Sequence, residues 1–231
     1  AGLLYKNVSV YDPYWSVAPP VMLTAWYLTI GKVSAPIVLL LVAVWYWGIR
    51  LTYNWAYTFK GLEHEDWRYT KFRTDCHPVI FHLINFWGLN MIPTIVVFLA
   101  MLPAFDIMRL ECSLKLLCVI GFLVCLAAAT LQLVSDTQAH RFRKQHPGKV
   151  CDVGLWRHGR HPNYLGEILM WWGVWIMYVS QVGFSLFPWF VVGPISVTVL
   201  FCVVSIPLME HRQLATKPEY AEYKTQTRLF V

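Results

Sequence analysis

The residues best suited to chemistry lie between positions 154 and 167, directly before a long apolar segment. This run places basic, amide and carboxylate side chains around a proline: Arg157, Arg160, His161, Pro162, Asn163, Tyr164 and Glu167. Pro162 predicts the first turn of a helix, because its fixed φ is helical and its missing N–H needs no partner there. The free N–H groups at such a helix start, with arginines just upstream, favour an anion such as phosphate.

Asn163 and Glu167 are four residues apart, so they share one face of this predicted helix. Glu167 falls about one turn inside the apolar segment, where an ionisable side chain indicates a functional role. A simpler interpretation remains open for the arginines alone. In it, Arg157 and Arg160 reach lipid headgroups and one of them pairs with Glu167.

A second polar group follows the fourth apolar segment. Four residues spaced by four, four and three positions form one stripe on a helix: Gln132, Asp136, His140 and Arg143. Such a stripe could bond a ribose, an amide and a phosphate in turn, and Arg141 and Lys144 add positive charge beside it. A solvated helix face with an Asp136–His140 pair would have the same pattern.

Three further clusters lie outside these runs. The first long loop contains Arg50, Asn54, Trp55, Glu65, Asp66, Trp67 and Arg68, and the tail contains Glu210, His211, Arg212, Tyr220 and Tyr223. Their polar members are candidate cofactor ligands, whereas Trp55, Trp67 and Tyr220 are better explained as anchors at the membrane interface. Asp12 precedes the first apolar segment with several aromatic residues, and it is either a surface charge or part of a site.

Common cofactor and metal motifs are missing from the chain. It has no GxGxxG, GxxxxGK[ST], HExxH or GxSxG, so any nucleotide must be held by arginines and helix ends. The six cysteines form no CxxC and are expected to be thiols, without a disulfide framework or a zinc site. No metal is expected.

The composition indicates what positions these groups. Apolar residues make up 57% of the chain and charged residues 14%, against roughly 45–50% and about 25% in soluble domains. We therefore predict an all-α, polytopic transmembrane bundle with ordered cytoplasmic loops, forming a single domain over residues 1–231. The predicted spans are Ser16–Ile30, Val33–Trp47, Val79–Met101, Leu114–Val134, Leu165–Leu186 and Pro188–Leu208. No basic, apolar leader precedes them, so no secretory signal is expected.

The distribution of basic residues predicts the orientation. All Lys and Arg residues except Lys32, Arg109 and Lys115 fall at the termini or in loops 50–78 and 135–164. By the positive-inside rule these parts are cytoplasmic, in a bacterial inner membrane or the endoplasmic reticulum. The net charge of +6 is thereby explained by the membrane face, and no nucleic-acid or protein partner is expected. The cofactor site should combine both loops with the tail, residues 209–231.

The chain resembles the steroid 5-alpha-reductase superfamily, most closely its largely bacterial branch. The likeness rests on Gly154–Glu167, on the Tyr53–Trp55 and Glu65–Tyr69 elements of the first loop, and on Asp12–Ser16. Isoprenylcysteine methyltransferases have a similar Arg, His, Pro, Tyr, Gly pattern. Superfamily members are seven-helix membrane enzymes that hold NADPH at the cytoplasmic side, so six to seven spans are expected and one N-terminal helix is unaccounted for.

The resemblance also implies residue roles. Cofactor contacts are expected at Asn163, Asp136, Arg143, His211 and Arg212, with Glu167 near the nicotinamide or the substrate carbonyl. In the steroid enzymes a Glu and a Tyr polarise the ketone, and Asp12 with Tyr46 or Tyr53 would replace them here. A buried, protonated Glu167 or a Tyr hydroxyl is expected to donate a hydrogen bond to that ketone.

The resulting hypothesis is NADPH-dependent reduction of an enone in a lipophilic, steroid-like substrate that enters from the bilayer. The alternatives are a methyltransferase that uses S-adenosylmethionine and, third, a transporter or scaffold. The basic residues Arg141, Arg143, Lys144, Arg157 and Arg160 favour NADPH, since S-adenosylmethionine has no phosphate. A transporter would place more charge near the membrane midplane.

Overall fold

The computed structural model describes residues 7–61, 63, 65–183 and 190–231, and no β-strand occurs within these ranges. Its α-helices are α1 Tyr14–Ile30, α2 Ala35–Thr58, α3 Trp67–Asp75, α4 Pro78–Leu83, α5 Ile92–Arg109, α6 Leu116–Gln145, α7 Pro162–Val182, α8 Val192–Val199, α9 Ile206–Thr216 and α10 Tyr220–Gln226. Short 3₁₀ helices cover Val8–Tyr11 and Gly154–Arg157. The all-α prediction is confirmed for the described residues.

Four helical stretches are long and apolar enough to cross a membrane: Ala35–Thr58, Pro78–Arg109, Leu116–Gln145 and Val192–Thr216. They have 24 to 32 residues, more than the roughly 20 that a bilayer requires, and they indicate a protein that associates with lipid. Each predicted span overlaps helical residues. The count of six to seven crossings, and the cytoplasmic orientation of the termini and long loops, stay predictions. The predicted ends at Leu186 and Pro188 lie outside the described residues.

Two of the long stretches contain a π-helical segment that the sequence did not predict. Ile84–Met91 joins α4 to α5, and Leu200–Ser205 joins α8 to α9. π-helical turns are rare and frequently occur at functional sites. Both segments contribute side chains to the cavity described below.

The helix α7 forms the centre of the fold, with 12 of its 21 residues buried. It begins at Pro162, as predicted, and packs along α6 through small residues. A Cβ at Gly166 would lie 2.5 Å from Gln132 Cγ and 2.7 Å from the Ala128 carbonyl oxygen. The two backbones therefore approach closely, as small residues allow between membrane helices, and this brings α6 side chains within reach of Glu167.

The C-terminal tail is attached to the chain just before α7. The Arg160 and His161 N–H groups donate to the carbonyl oxygens of Arg228 and Leu229 at 2.9 and 3.2 Å. The Tyr223 hydroxyl donates a hydrogen bond to the Trp156 carbonyl oxygen at 2.5 Å. These contacts position the tail beside the helix start that the sequence analysis selected.

Candidate active site

A cavity of about 490 Å³ lies at the end of the bundle where α1 and α7 begin. This volume is within the range of small-molecule sites. Its polar lining comes from five separate parts of the chain and includes Asp12, Arg50, Asn54, Asp66, Arg68, Tyr69, Gln132, Asp136, Asn163 and Glu167. Its apolar wall includes Leu89, Leu200, Phe201, Val204, Leu208 and Met209. The structure thus brings together most of the clusters that the sequence predicted separately.

Glu167 is held by four N–H donors from four helices. Its Oε1 accepts from the indole N–H of Trp15 at 2.9 Å and of Trp171 at 3.2 Å. Its Oε2 accepts from the Trp47 indole at 2.9 Å and from Gln132 Nε2 at 3.1 Å. Each carboxylate oxygen therefore has two donors, and the side chain is fixed by α1, α2, α6 and α7 together.

All four neighbours of Glu167 donate to its carboxyl oxygens in this structure. The geometry therefore matches an acceptor role for Glu167. Gln132 could reverse one of these contacts, because its Oε1 has no partner among the described residues and a rotated amide would present it to Glu167. The expectation that a protonated Glu167 donates to a substrate ketone stays a prediction.

The first three residues of the predicted stripe on α6 contact neighbouring helices, but only Gln132 and Asp136 line this cavity, and a cofactor-binding role stays a prediction. Asp136 accepts from Arg50 Nη1 at 2.9 Å and from Asn163 Nδ2 at 3.3 Å, which connects α6 with α2 and α7. His140 Nε2 lies 2.7 Å from Asn54 Oδ1. The stripe pairs with neighbouring helices, so the interpretation as a solvated face with an Asp136–His140 pair is wrong.

Two buried polar atoms in this network lack a partner among the described residues. They are Arg50 Nε, a donor, and Gln132 Oε1, an acceptor. Arg50 and Gln132 are 5% and 1% exposed, and both line the cavity. An unsatisfied buried polar group costs roughly 1–3 kcal/mol, so a ligand that supplies one acceptor and one donor would relieve both.

Asp12 pairs with a tyrosine that the sequence analysis did not select. The Tyr69 hydroxyl donates to Asp12 Oδ1, and burial raises the pKa of Asp12 although this hydrogen bond and the nearby Arg68 oppose the shift. Burial and the Asp12 carboxyl raise the pKa of Tyr69, so its hydroxyl stays protonated at neutral pH. Arg68 is held by Asp66, whose Oδ1 accepts from Arg68 Nε at 2.7 Å.

The predicted partners of Asp12 lie elsewhere. The Tyr46 hydroxyl is 3.1 Å from Thr130 Oγ1, and Tyr53 is 66% exposed and stacks on Tyr57. Neither lines the cavity. The prediction failed because Tyr46 and Tyr53 lie on the α2 face that points away from α1, whereas α3 folds back against the start of α1.

The sequence also predicts that Arg143, Arg157 and Arg160 converge on the start of α7, but the structure separates Arg157 from Arg160. Arg160 donates through Nε to Glu210 at 2.8 Å and through Nη1 to the carbonyl oxygens of Lys224 and Thr227. Arg157 is exposed and lines a different cavity, with Lys149 and Glu219. The predicted convergence is therefore wrong, and Arg160 stabilises the tail.

His161 also faces the tail. Its Nε2 is 3.1 Å from Glu210 Oε1, and burial lowers its pKa although Glu210 opposes this shift. Tyr164 does line the cavity and stacks on His161 at 5.3 Å between ring centroids. The other predicted tail residues lie outside the candidate active site. Tyr220 is buried next to Tyr223, Tyr223 lines the cavity that Arg157 also lines, and His211 is exposed on α9.

Arg212 lies beside the cavity, and two further cations act with it on the local charge. Arg212 packs on the Trp67 ring at 4.2 Å, and it shares a neighbouring cavity of about 710 Å³ with Asp12 and Asp66. Burial lowers the pKa of Lys217; the positive charges of Arg143 and Arg212 lower it further, whereas Glu219 opposes the shift. We call Arg143, Arg212 and Lys217 the cationic cluster, and cations of this kind favour a phosphate.

Sequence reasoning missed Tyr69 and the three tryptophans that hold Glu167. Tyr69 ends the Glu65–Tyr69 element on which the family likeness partly rests, so that likeness was the one signal available. Trp47 and Trp171 lie inside apolar segments, where a tryptophan is usually assigned to the core. Within the part of the chain that the structure describes, no group of three or more His, Cys, Asp or Glu residues could hold a metal ion.

Comparison with known proteins identifies the family. The chain matches neither a curated protein nor a solved structure. The DUF1295 family, described as protein of unknown function, matches residues 1–227. This family is steroid 5-alpha-reductase-like, which confirms the predicted resemblance at family level. The chain belongs to the DUF1295 family.

Proposed function

We propose that this protein reduces a carbon–carbon double bond conjugated to a ketone in a lipophilic substrate, with NADPH as the reductant. The observation that supports it most is the cavity itself. It is lined both by buried hydrogen-bonding groups and by apolar side chains, several of which come from two π-helical segments. Such a cavity suits a polar cofactor head next to an apolar substrate.

The residues present suit the proposed cofactor. The unpartnered Arg50 Nε and Gln132 Oε1 offer the donor and the acceptor that a carboxamide requires. Arg143, Arg212 and Lys217 would hold its phosphates. When bound there, NADPH would supply the hydride, and the protein would supply orientation and electrostatics.

The chain's own groups provide the remaining chemistry. Hydride addition to an enone leaves negative charge on the ketone oxygen, which needs a hydrogen-bond donor, and water then protonates the neighbouring carbon of the enolate. The Tyr69 hydroxyl is protonated at neutral pH and is the donor that we assign in place of Tyr46 and Tyr53. It has one hydrogen, which it donates to Asp12 in this structure, so it turns from Asp12 to the ketone when the substrate binds. The positive charge of Arg68 stabilises the developing anion.

When ionised, the carboxylate of Glu167 favours positive charge in its neighbourhood. A nicotinamide ring gains positive charge when its hydride leaves, so Glu167 would stabilise that change electrostatically. The sulfonium of S-adenosylmethionine would be favoured in the same way. Glu167 therefore supports either cofactor.

One observation keeps the methyltransferase as the second candidate. The cavity is lined by four carboxyl groups, on Asp12, Asp66, Asp136 and Glu167, but by only two guanidinium groups, on Arg50 and Arg68. An excess of carboxylates favours a cationic ligand. The cluster of Arg143, Arg212 and Lys217 favours phosphates and is our reason for ranking NADPH first.

We also propose six crossings, with both termini and the two long loops in the cytoplasm, and membership of the largely bacterial branch of the superfamily. The distribution of Lys and Arg residues supports the orientation. Reporter fusions after Lys32 and after Gly148 should report opposite sides of the membrane. Signals on the same side would contradict this topology.

Cofactor binding tests the proposed function. Purified protein in detergent contains twelve Trp residues, so bound NADPH should quench their emission and fluoresce by energy transfer. S-adenosylmethionine should not displace it. The same sample should then oxidise NADPH when a 3-keto-Δ4 steroid or a long-chain enone is added. Binding or consumption of S-adenosylmethionine without any NADPH signal would replace this proposal with the methyltransferase.

A further inference from the structure

A second, smaller cavity of about 290 Å³ lies on the other side of the Arg50–Asp136 pair, between α2 and α6. It shares Arg50, Asn54 and Asp136 with the candidate active site. The rest of its lining differs and consists of Tyr53, Tyr57, Leu133, Thr137, His140, Arg141 and Lys144. We call it the α2–α6 groove.

The groove has an uncompensated positive charge. The guanidinium of Arg50 is paired with Asp136 at 2.9 Å. Arg141 and Lys144 are exposed, and no acidic side chain among the described residues lies within 4 Å of either. Arg141 is two positions from Arg143, so on a helix the two point to different faces. The groove cations are thus distinct from the cluster of Arg143, Arg212 and Lys217.

Exposed apolar side chains continue from the groove along both helices. On α2 they recur every three or four residues, at Val38, Val42, Trp45, Ile49, Tyr53 and Tyr57. On α6 they are less regular and include Ile120, Leu123, Leu133 and Val134. The contacts Tyr46–Thr130, Arg50–Asp136 and Asn54–His140 show that α2 and α6 run parallel. Both helices are apolar and long enough to cross a membrane.

The two apolar stripes therefore lead to the same cationic end. We propose that the α2–α6 groove binds the phosphate of an anionic glycerophospholipid, with its acyl chains lying along these stripes. Arg141 and Lys144 contact the phosphate, and Tyr53 and Tyr57, which are 66% and 61% exposed, flank the glycerol region at a depth typical of interfacial tyrosines. The opening lies on the exposed side of α2 and α6, which favours a lipid over a cofactor phosphate. This site does not depend on the proposed reductase activity.

Native mass spectrometry of the full chain in detergent tests the proposal. Phosphatidylglycerol and phosphatidylcholine with identical acyl chains are each titrated, and the first bound lipid is quantified. We expect phosphatidylglycerol to bind at least tenfold more tightly. A cation near an anionic lipid contributes a factor of about five, so R141Q/K144Q should remove most of this preference. K60Q/K149Q loses the same charge at exposed positions outside the groove and should retain the preference for phosphatidylglycerol.

Other results would overturn the inference. Equal binding of the two lipids to the unmodified chain would exclude a headgroup site, and this comparison does not require any variant to fold. Competition by millimolar inorganic phosphate or by NADPH would assign the cations to a soluble phosphate. A preference that survives in R141Q/K144Q, or a groove covered by a second copy in a dimer that persists without lipid, would also refute it.

Discussion

Replacing Glu167 with glutamine should destabilise the protein through one identifiable donor. The substitution turns one acceptor oxygen into an NH₂ group that faces two N–H donors. At the Oε1 position this group would oppose both Trp15 and Trp171. At the Oε2 position it would oppose Trp47 and Gln132, but Gln132 can rotate its amide and accept with its unpartnered Oε1. The second orientation is favoured, and it leaves the Trp47 indole without an acceptor.

The loss of stability in E167Q follows from these contacts. A buried donor left unsatisfied costs about 1–3 kcal/mol, and the remaining hydrogen bonds weaken because they lose a charged acceptor. Removal of the buried charge offsets part of this loss. We expect the free energy of unfolding of E167Q to fall by about 2–4 kcal/mol, as is typical when a buried network is broken.

A double-mutant cycle isolates the role of Trp47. Unfolding in detergent is followed by near-ultraviolet circular dichroism for the wild type, E167Q, W47F and the double variant. W47F loses the same packing in both backgrounds, but in E167Q the indole N–H that it removes has no acceptor. W47F should therefore reduce the free energy of unfolding by about 1–3 kcal/mol less in E167Q than in the wild type. Trp172 donates to Thr198 instead, so W172F should cost the same in both. Equal costs of W47F in the two backgrounds would refute this account of Glu167.

Four further outcomes are expected. Y69F should lower turnover of an accepted enone about 10²-fold or more, whereas Y53F should leave it within about twofold; equal rates for the two variants would remove Tyr69 from the site. The pKa of Asp12 is raised, so its stabilising contribution is present at low pH and is lost as pH rises through that pKa. D12N should therefore gain stability relative to wild type as pH rises from 4 to 8. A difference in unfolding free energy between D12N and wild type that does not change with pH would contradict this. R160A should expose residues 217–231 to limited proteolysis without direct loss of a cofactor contact, while a tail that stays protected would show that Arg160 does not hold it. R143A should weaken NADPH binding measured by energy transfer, and an unchanged affinity would exclude Arg143 as a phosphate ligand.

The local sequence was sufficient to predict the long apolar helices and the faces of two of them. Gln132, Asp136 and His140 repeat at the helical period, and Asn163 and Glu167 follow a proline whose context favours the first turn of a helix. Such patterns are determined by residues three or four positions apart. They correctly indicated which side chains share a face and that the polar groups gather at one end of the bundle.

The partners of these side chains depended on the tertiary structure. Tyr69 is 57 residues from Asp12, and Trp15 and Trp47 are 152 and 120 residues from Glu167. Nothing in the local pattern distinguishes Tyr69 from Tyr46 or Tyr53, because the choice depends on how α3 folds back against α1. Likewise, Arg160 is surrounded by cationic neighbours in sequence but is neutralised by Glu210 in space. Long-range packing decides whether a charge faces a ligand or another residue, and the sequence specifies that packing only through the whole fold.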